Sequence, residues 1–273
     1  MTEPSHAPID KTLTSRYECK YLIDERCAAL LRHYLSSHVR LDPFSERSED
    51  LRYRVHSLYL DTPGLQLYRD TAQGIRNRFK LRLRYYSMSS GDPVFLEVKK
   101  RSDVIVRKSR ERVSTEEANE FLHTGTLESV DGHGADLGEF LERCRETGAQ
   151  PALRIKYWRE AYESRGVDPV RITFDTQVEH CMLSTPGLEE RRPEWRLTPL
   201  GAAVILEVKF TDRCPRWVSE MLRRFQLSKL SVAKYAESID SLFDRGQRGV
   251  LERTLLLARP RANATPPPLG MQA

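Results

Sequence analysis

The chain has 273 residues, 39% hydrophobic and 30% charged, which is enough to bury a core without disulfide or metal staples. Its 44 basic and 39 acidic residues leave a net charge of +5, so where the cations sit matters more than their number. Five scattered cysteines without a CxxC pair, histidines without HExxH spacing and the lack of any long apolar run or apolar leader speak against a disulfide framework, a zinc site, a membrane helix and secretion, and favour the cytoplasm.

In chain order, residues 1–12 are polar and aperiodic and are expected to be disordered. Residues 16–22 alternate as a strand, with Arg16, Glu18 and Lys20 on one face and Tyr17, Cys19 and Tyr21 on the other. A helix is expected over 24–39, with Asp24 as its cap. A strand over 54–61 and a short helix over 64–73 follow. Residues 78–86 alternate again, setting Lys80, Arg82 and Arg84 opposite Phe79, Leu81 and Leu83. Strands are also expected at 94–100, 104–113, 152–164, 170–176 and 203–210. Helices are expected at 115–123, 136–146, 215–226 and 234–245, and a loop at 124–135. The Pro-rich end, 246–273, reads as the end of a helix and a disordered tail. The spacing therefore predicts one domain, 13–245, of the α+β class, mainly antiparallel β with peripheral helices. One apolar and one charged face per strand fits either a sheet with a wet outer face or a closed barrel with a charged lumen.

The charges favour the lumen. A wet face mixes Lys, Glu, Thr, Ser and Gln, whereas the polar face of 78–86 is only Lys and Arg. Three strands also place a carboxylate two residues before an ammonium: Glu18 and Lys20, Glu97 and Lys99, Glu207 and Lys209. Two like charges about 5 Å apart repel by roughly 3 kcal/mol at an effective dielectric near 20, so a lumen of cations needs water, counterions or a polyanion. Arg and Lys suit phosphate oxygens, and carboxylates without Cys or His suit a hard divalent cation, Mg²⁺ or Mn²⁺. Together these are the ingredients of phosphoryl transfer, which works by positioning and charge stabilisation. A nucleic-acid binder would expose a basic stripe with stacking aromatics, whereas most aromatics here share the apolar faces.

Taken in order, RYECKYL, SLYLDTPGLQLYRD, KLRLRYY, FLEVKK, the basic strand at 107–112, YWREAYES, VRITFDT, ILEVKF and AKYAESI resemble the VTC family over residues 14–242. This is the polyphosphate polymerase domain of the triphosphate tunnel metalloenzyme (CYTH-like) superfamily. The resemblance implies an eight-stranded closed barrel whose basic tunnel holds ATP and polyphosphate or pyrophosphate. It implies a divalent metal, Mn²⁺ or Mg²⁺, and transfer of the terminal phosphoryl of ATP onto the phosphate chain. It also implies a separate membrane-protein partner, which would hold the chain at the inner face of a membrane. By position, Lys20, Arg82, Arg84, Lys99, Arg159, Arg171 and Lys234 correspond to the catalytic cations. Lys80, Lys108, Arg110, Lys209 and Lys229 are further phosphate-binding candidates. Glu207 corresponds to the metal ligand, with Glu18 and Glu97 beside it. Asp61 and Asp175 are read as turn-capping or arginine-orienting groups, with metal ligation as the other role.

Three departures qualify the match. Arg16 stands where a triphosphatase and cyclase branch carries a metal-binding Glu, which favours the polymerase branch. Ser231 stands where the family has a penultimate tunnel lysine, and Lys229 is the candidate replacement. Arg159 shares parity with Leu153, Ile155 and Tyr157, so a bulge must re-aim it or it lies outside the lumen. The alternative functions are a triphosphatase or short-chain polyphosphatase on the same fold, and a non-catalytic polyphosphate or nucleotide sensor.

Overall fold

Period-two alternation builds most of the strands. The computed structural model describes residues 16–87, 91–103, 105–127, 131–166, 168–184, 187–189, 193–211 and 213–257. The elements run β1 (Arg16–Ile23), α1 (Glu25–Leu35), β2 (Val39–Leu41), α2 (Pro43–Glu46), β3 (Tyr53–Asp61), α3 (Gln66–Ala72), β4 (Asn77–Tyr85), β5 (Val94–Ser102), β6 (Ile105–Val113), α4 (Thr115–Thr124) and α5 (Ala135–Thr147). They continue with β7 (Gln150–Ser164), β8 (Val170–Met182), β9 (Arg196–Leu197), β10 (Val204–Thr211), α6 (Arg216–Arg224), α7 (Lys234–Asp244) and α8 (Arg248–Leu257). Asp24 caps α1 as expected, accepting from the Cys27 amide at 2.6 Å. That helix stops at Leu35 rather than 39, because Val39–Leu41 leave it to pair with β7. The expected disordered ends, 1–12 and 259–273, lie outside the described residues.

All ten described strands belong to one antiparallel sheet in the order β1-β10-β8-β7-β3-β4-β5-β6, with β2 added to β7 and β9 to β8. This corrects the eight-stranded closed barrel. β1 and β6 end the order and do not pair with each other. The sheet curls nonetheless, because the Lys99 ammonium of β5 reaches the Glu18 carboxylate of β1 at 2.8 Å. The segment before α7 occupies the free edge of β1: the Leu230 amide donates to the Lys20 carbonyl at 2.9 Å, and the Lys20 ammonium donates to the Val232 carbonyl at 3.0 Å. The sheet thus stays open, with side chains and a covering segment rather than a ladder along its β1 edge.

Three apolar clusters hold the curl. Helices α4 and α5 cover the outer face of β3, β4 and β5 through Leu58, Leu81, Leu83, Leu96, Phe121 and Phe140. Helices α1 and α6 cover β1, β8 and β10 through Leu31, Leu35, Ile172, Leu206 and Met221. On the inner face, Val55, Tyr59, Leu153, Ile155 and Ile205 pack with Tyr235, Ile239, Leu251 and Leu255 of α7 and α8.

The inner face is thus apolar along part of its length and charged along the rest, which resolves the parity of Arg159. Leu153, Ile155 and Tyr157 face inward beneath α7, and Arg159 faces inward beyond them. A bulge does exist, on the partner strand. Lys156 pairs with Glu179 while Trp158 pairs with Thr176, so β8 carries one extra residue there. Gln177 at this point has φ of 50°, in the left-handed region. The extra residue changes the inward set of β8 from Arg171, Thr173 and Asp175 to Val178, His180 and Met182.

Asp61 fastens α3 and α7 to the end of β3. It is buried and accepts from the amides of Thr62, Leu67 and Tyr68 at 2.7, 2.9 and 2.9 Å, and from the Tyr235 hydroxyl at 2.8 Å. Asp61→Ala would orphan these donors. We expect a loss of about 3 kcal/mol in urea unfolding. A loss below about 1 kcal/mol would contradict the role.

Candidate functional site

The charged part of the inner face is built by register. Lys20 pairs with Glu207 and Glu18 with Lys209 across β1 and β10. Arg82 pairs with Glu97, and Lys80 with Lys99, across β4 and β5. Glu97 pairs with Arg110, and Lys99 with Lys108, across β5 and β6. Lys209 pairs with Arg171 across β10 and β8. On β1, β4, β5, β8 and β10 apolar neighbours hold the backbone down from outside, so these side chains take the concave face; on the edge strand β6 the register alone places Lys108 and Arg110 there.

Each buried carboxylate gathers several cations. Glu97 is fully buried, with Arg82 and Lys108 at 2.7 and 2.6 Å and Arg110 and Arg84 at 3.3 and 3.9 Å. Glu207 has Lys209, Lys20, Lys234 and Arg159 at 3.0, 3.3, 3.4 and 3.7 Å. Asp175, also fully buried, accepts a bidentate pair from Arg159 at 2.7 and 2.7 Å and holds the Lys234 ammonium at 2.6 Å. Arg171 stands further along, held by Asp42 at 2.6 Å and Glu163 at 2.9 Å. Lys80 has no carboxylate within ion-pair distance among the described residues.

These fields move the titrations. Burial would raise the carboxyl groups, but the Arg82, Arg84 and Lys108 charges hold Glu97 well below the usual carboxylate range. Lys209, Lys20 and Lys234 do the same to Glu207. Burial, with Lys20 and Lys99 nearby, pushes Lys80 well down. Burial also brings Lys99 down to about 8 despite Glu18, and Lys108 down to about 8 despite Glu97. The unfolded chain keeps these protons up to about pH 10.4, so the folded state sheds them first and gains relative stability as pH rises through that window. A bound polyanion would restore the protons. Tripolyphosphate binding near pH 8.5 should therefore take up about one proton. Titration calorimetry in two buffers of different ionisation enthalpy measures this, and zero uptake would contradict the shifted lysines.

Of the phosphate-binding and metal candidates named from the sequence, all but Lys229 converge on this face. Lys229 is exposed between α6 and α7 and pairs with none of these carboxylates; Ser231 is exposed beside it. The side chain of Arg16 lies outside the described residues. Asp175 orients Arg159 and Lys234, and Asp61 caps a turn. The sequence reading missed Asp42, whose only signal is an Asp-Pro step that opens a capped turn. Tyr59 and Tyr157 belong to the buried inner cluster and also border the charged part of the face. Both line the cations: the Tyr59 hydroxyl accepts from Arg82 at 3.0 Å, and the Tyr157 hydroxyl lies 3.5 Å from Arg84.

The donor set does not by itself form a metal centre. No three His, Cys, Asp or Glu side chains converge among the described residues. Glu97 and Glu207 are each enclosed by four cations, the setting of a counter-ion. Glu18 and Glu207 lie on neighbouring strands and each feels the other's charge. Two carboxylates with ligand phosphate oxygens completing the shell suit Mg²⁺ or Mn²⁺.

The geometry can be set beside known proteins. The chain is 26% identical over 186 residues to the Saccharomyces cerevisiae vacuolar transporter chaperone complex subunit 2, covering 57% of this chain and 22% of that one. The chain thus spans about a fifth of that relative's length. Among solved structures, a candidate adenylate cyclase of Bacillus halodurans superposes with a TM-score of 0.46 and 13% identity, over 80% of this chain and 95% of that one. The PH1819 protein of Pyrococcus horikoshii superposes with a TM-score of 0.44 and 16% identity, over 83% and 98%. The VTC domain model matches residues 15–243, a span that contains every lumen side chain described above, and the chain belongs to the VTC domain family.

Proposed function

We propose that the chain is an ATP-dependent polyphosphate polymerase, moving the terminal phosphoryl of ATP onto a polyphosphate chain along the concave face. The observation that supports this most is the charge imbalance there. Among the described residues, Lys20, Lys80, Arg82, Arg84, Lys99, Lys108, Arg110, Arg159, Arg171, Lys209 and Lys234 face only Glu18, Asp42, Glu97, Glu163, Asp175 and Glu207. Burying that excess is costly without a polyanion, and Lys80 has only cations for close charged company.

In this reading the cations around Glu97 and those around Glu207 hold two stretches of phosphate on facing walls. Donor and acceptor phosphates then lie end to end, as in-line transfer requires. Arg82 and Arg159 are pre-aimed by Glu97 and Asp175, so little reorganisation is needed as charge develops. Glu207 and Glu18 would hold Mn²⁺ or Mg²⁺, which would neutralise phosphate charge.

The test incubates pure protein with ATP and Mn²⁺, with and without a short primer, beside a Glu207→Gln control. Long chains that the control does not make support the polymerase. Free phosphate without chains would reassign the chain to the hydrolase reading. Neither product, with polyphosphate binding retained, would reassign it to the sensor reading. The yeast relative is a complex subunit by name, so we include in the proposal a separate membrane-protein partner that places the chain at a membrane surface. Among the described residues no helix is long and apolar enough to cross a membrane. Affinity capture from cells that recovers no membrane protein would remove the partner from the proposal.

A further inference from the structure

The charged face opens at one end onto a group of aromatic rings. Phe44 of α2, Tyr53 of β3, Tyr86 just after β4 and Phe95 of β5 meet there. The Phe44 ring centroid lies 5.7 Å from that of Tyr53 and 5.8 Å from that of Tyr86, nearly parallel to the latter at 22°. Tyr86 meets Phe95 edge-on at 6.2 Å, and the Arg110 guanidinium lies 3.4 Å from the Phe95 centroid. Phe44 is 53% exposed while its ring neighbours are half-buried, and the Arg47 guanidinium lies 5.3 Å from its centroid.

Its turn is held rigidly. The Asp42 carboxylate accepts from the Ser45 amide at 2.8 Å, the Asp42 amide donates to the Ala161 carbonyl at 2.8 Å, and the Ser45 hydroxyl accepts from the Ala161 amide at 2.9 Å. The same Asp42 carboxylate, 1% exposed, holds Arg171 at 2.6 Å. One buried group therefore fixes both an exposed ring and a cation of the phosphate-binding face.

We propose that Phe44, with Tyr53 and Tyr86 behind it, is the stacking platform for the base of a nucleoside triphosphate whose phosphates lie on the cations beyond. This rests on the proposed ATP-dependent role of that face and adds the place where the base of the nucleotide is held. A planar base covers the exposed ring and gains stacking that every base can supply. Arg171 reaches the neighbouring phosphate, and Asp42 keeps the two subsites at a fixed separation. An inorganic polyphosphate lacks the base and uses the cations only.

The experiment measures binding of ATP and of tripolyphosphate to the full chain by calorimetry, for the wild type, Phe44→Ala and Phe44→Trp. Exposure of the ring predicts that all three remain folded, which melting curves check. Phe44→Ala should weaken ATP about tenfold and leave tripolyphosphate unchanged, and Phe44→Trp should restore ATP binding. Equal loss for both ligands, or no loss for ATP, overturns the base platform while leaving the phosphate site standing. If the wild type does not bind tripolyphosphate, the phosphate reading fails and the platform fails with it.

Discussion

Glu97→Gln should lower the stability of the protein by about 3–5 kcal/mol, the range for breaking a buried ion cluster from one side. In a chain of this size that is about 10 °C in melting temperature. The substitution keeps the shape of the side chain and removes only its charge. Arg82, Arg84, Lys108 and Arg110 would then face each other without their common counter-charge, within 3.9 Å of the neutral amide that replaces it. Tripolyphosphate should restore much of the loss, because a polyanion can take the place of the carboxylate. Calorimetric melting with and without tripolyphosphate measures both effects. An unchanged melting temperature would mean that Glu97 does not hold these cations.

Glu207→Gln should act in two opposite directions. Phosphoryl transfer should fall about 100- to 1,000-fold, through loss of the proposed metal ligand and of the field that positions Lys20, Lys234 and Arg159. Metal-free tripolyphosphate should bind about fivefold more tightly, because one negative charge has left a cationic face. A merely structural role would weaken both. Weaker phosphate binding by a folded Glu207→Gln protein would therefore count against Glu207 as a charge in contact with the phosphate chain.

Most of the site was legible because strand alternation is a local property. Once Leu81 and Leu83 are buried outward, Arg82 and Arg84 must point inward, and no further knowledge of the fold is required. The same logic found Glu207, Lys209, Glu97 and Lys99. Closure was not legible, because whether β1 meets β6 depends on edge pairing between remote strands and leaves no periodic trace. Asp42 and Phe44 were missed for another reason. α2 is four residues long, too short to show a helical period, and β2 before it has only three. Lys229 shows the converse error: a basic residue at the right distance along the chain does not reach the face when its segment runs outside the β1 edge.

The extra residue at Gln177 behaves as a phase defect in an otherwise regular lattice. Upstream of it, odd-numbered residues of β8 belong to the polyelectrolyte surface; downstream, even-numbered residues belong to the hydrocarbon interior. One strand thereby serves two solvents. Deleting a regular residue beyond it, Glu179, would leave composition and length almost untouched, yet it would set every later residue of β8 half a period out of step. His180 would turn away from the inner face and Cys181 would take its place, whereas deleting Gln177 itself would only remove the defect and leave Val178 and His180 facing inward. Tolerance to change on this strand is therefore governed by counting: substitutions act one at a time, whereas a single deletion anywhere but at the defect inverts everything beyond it.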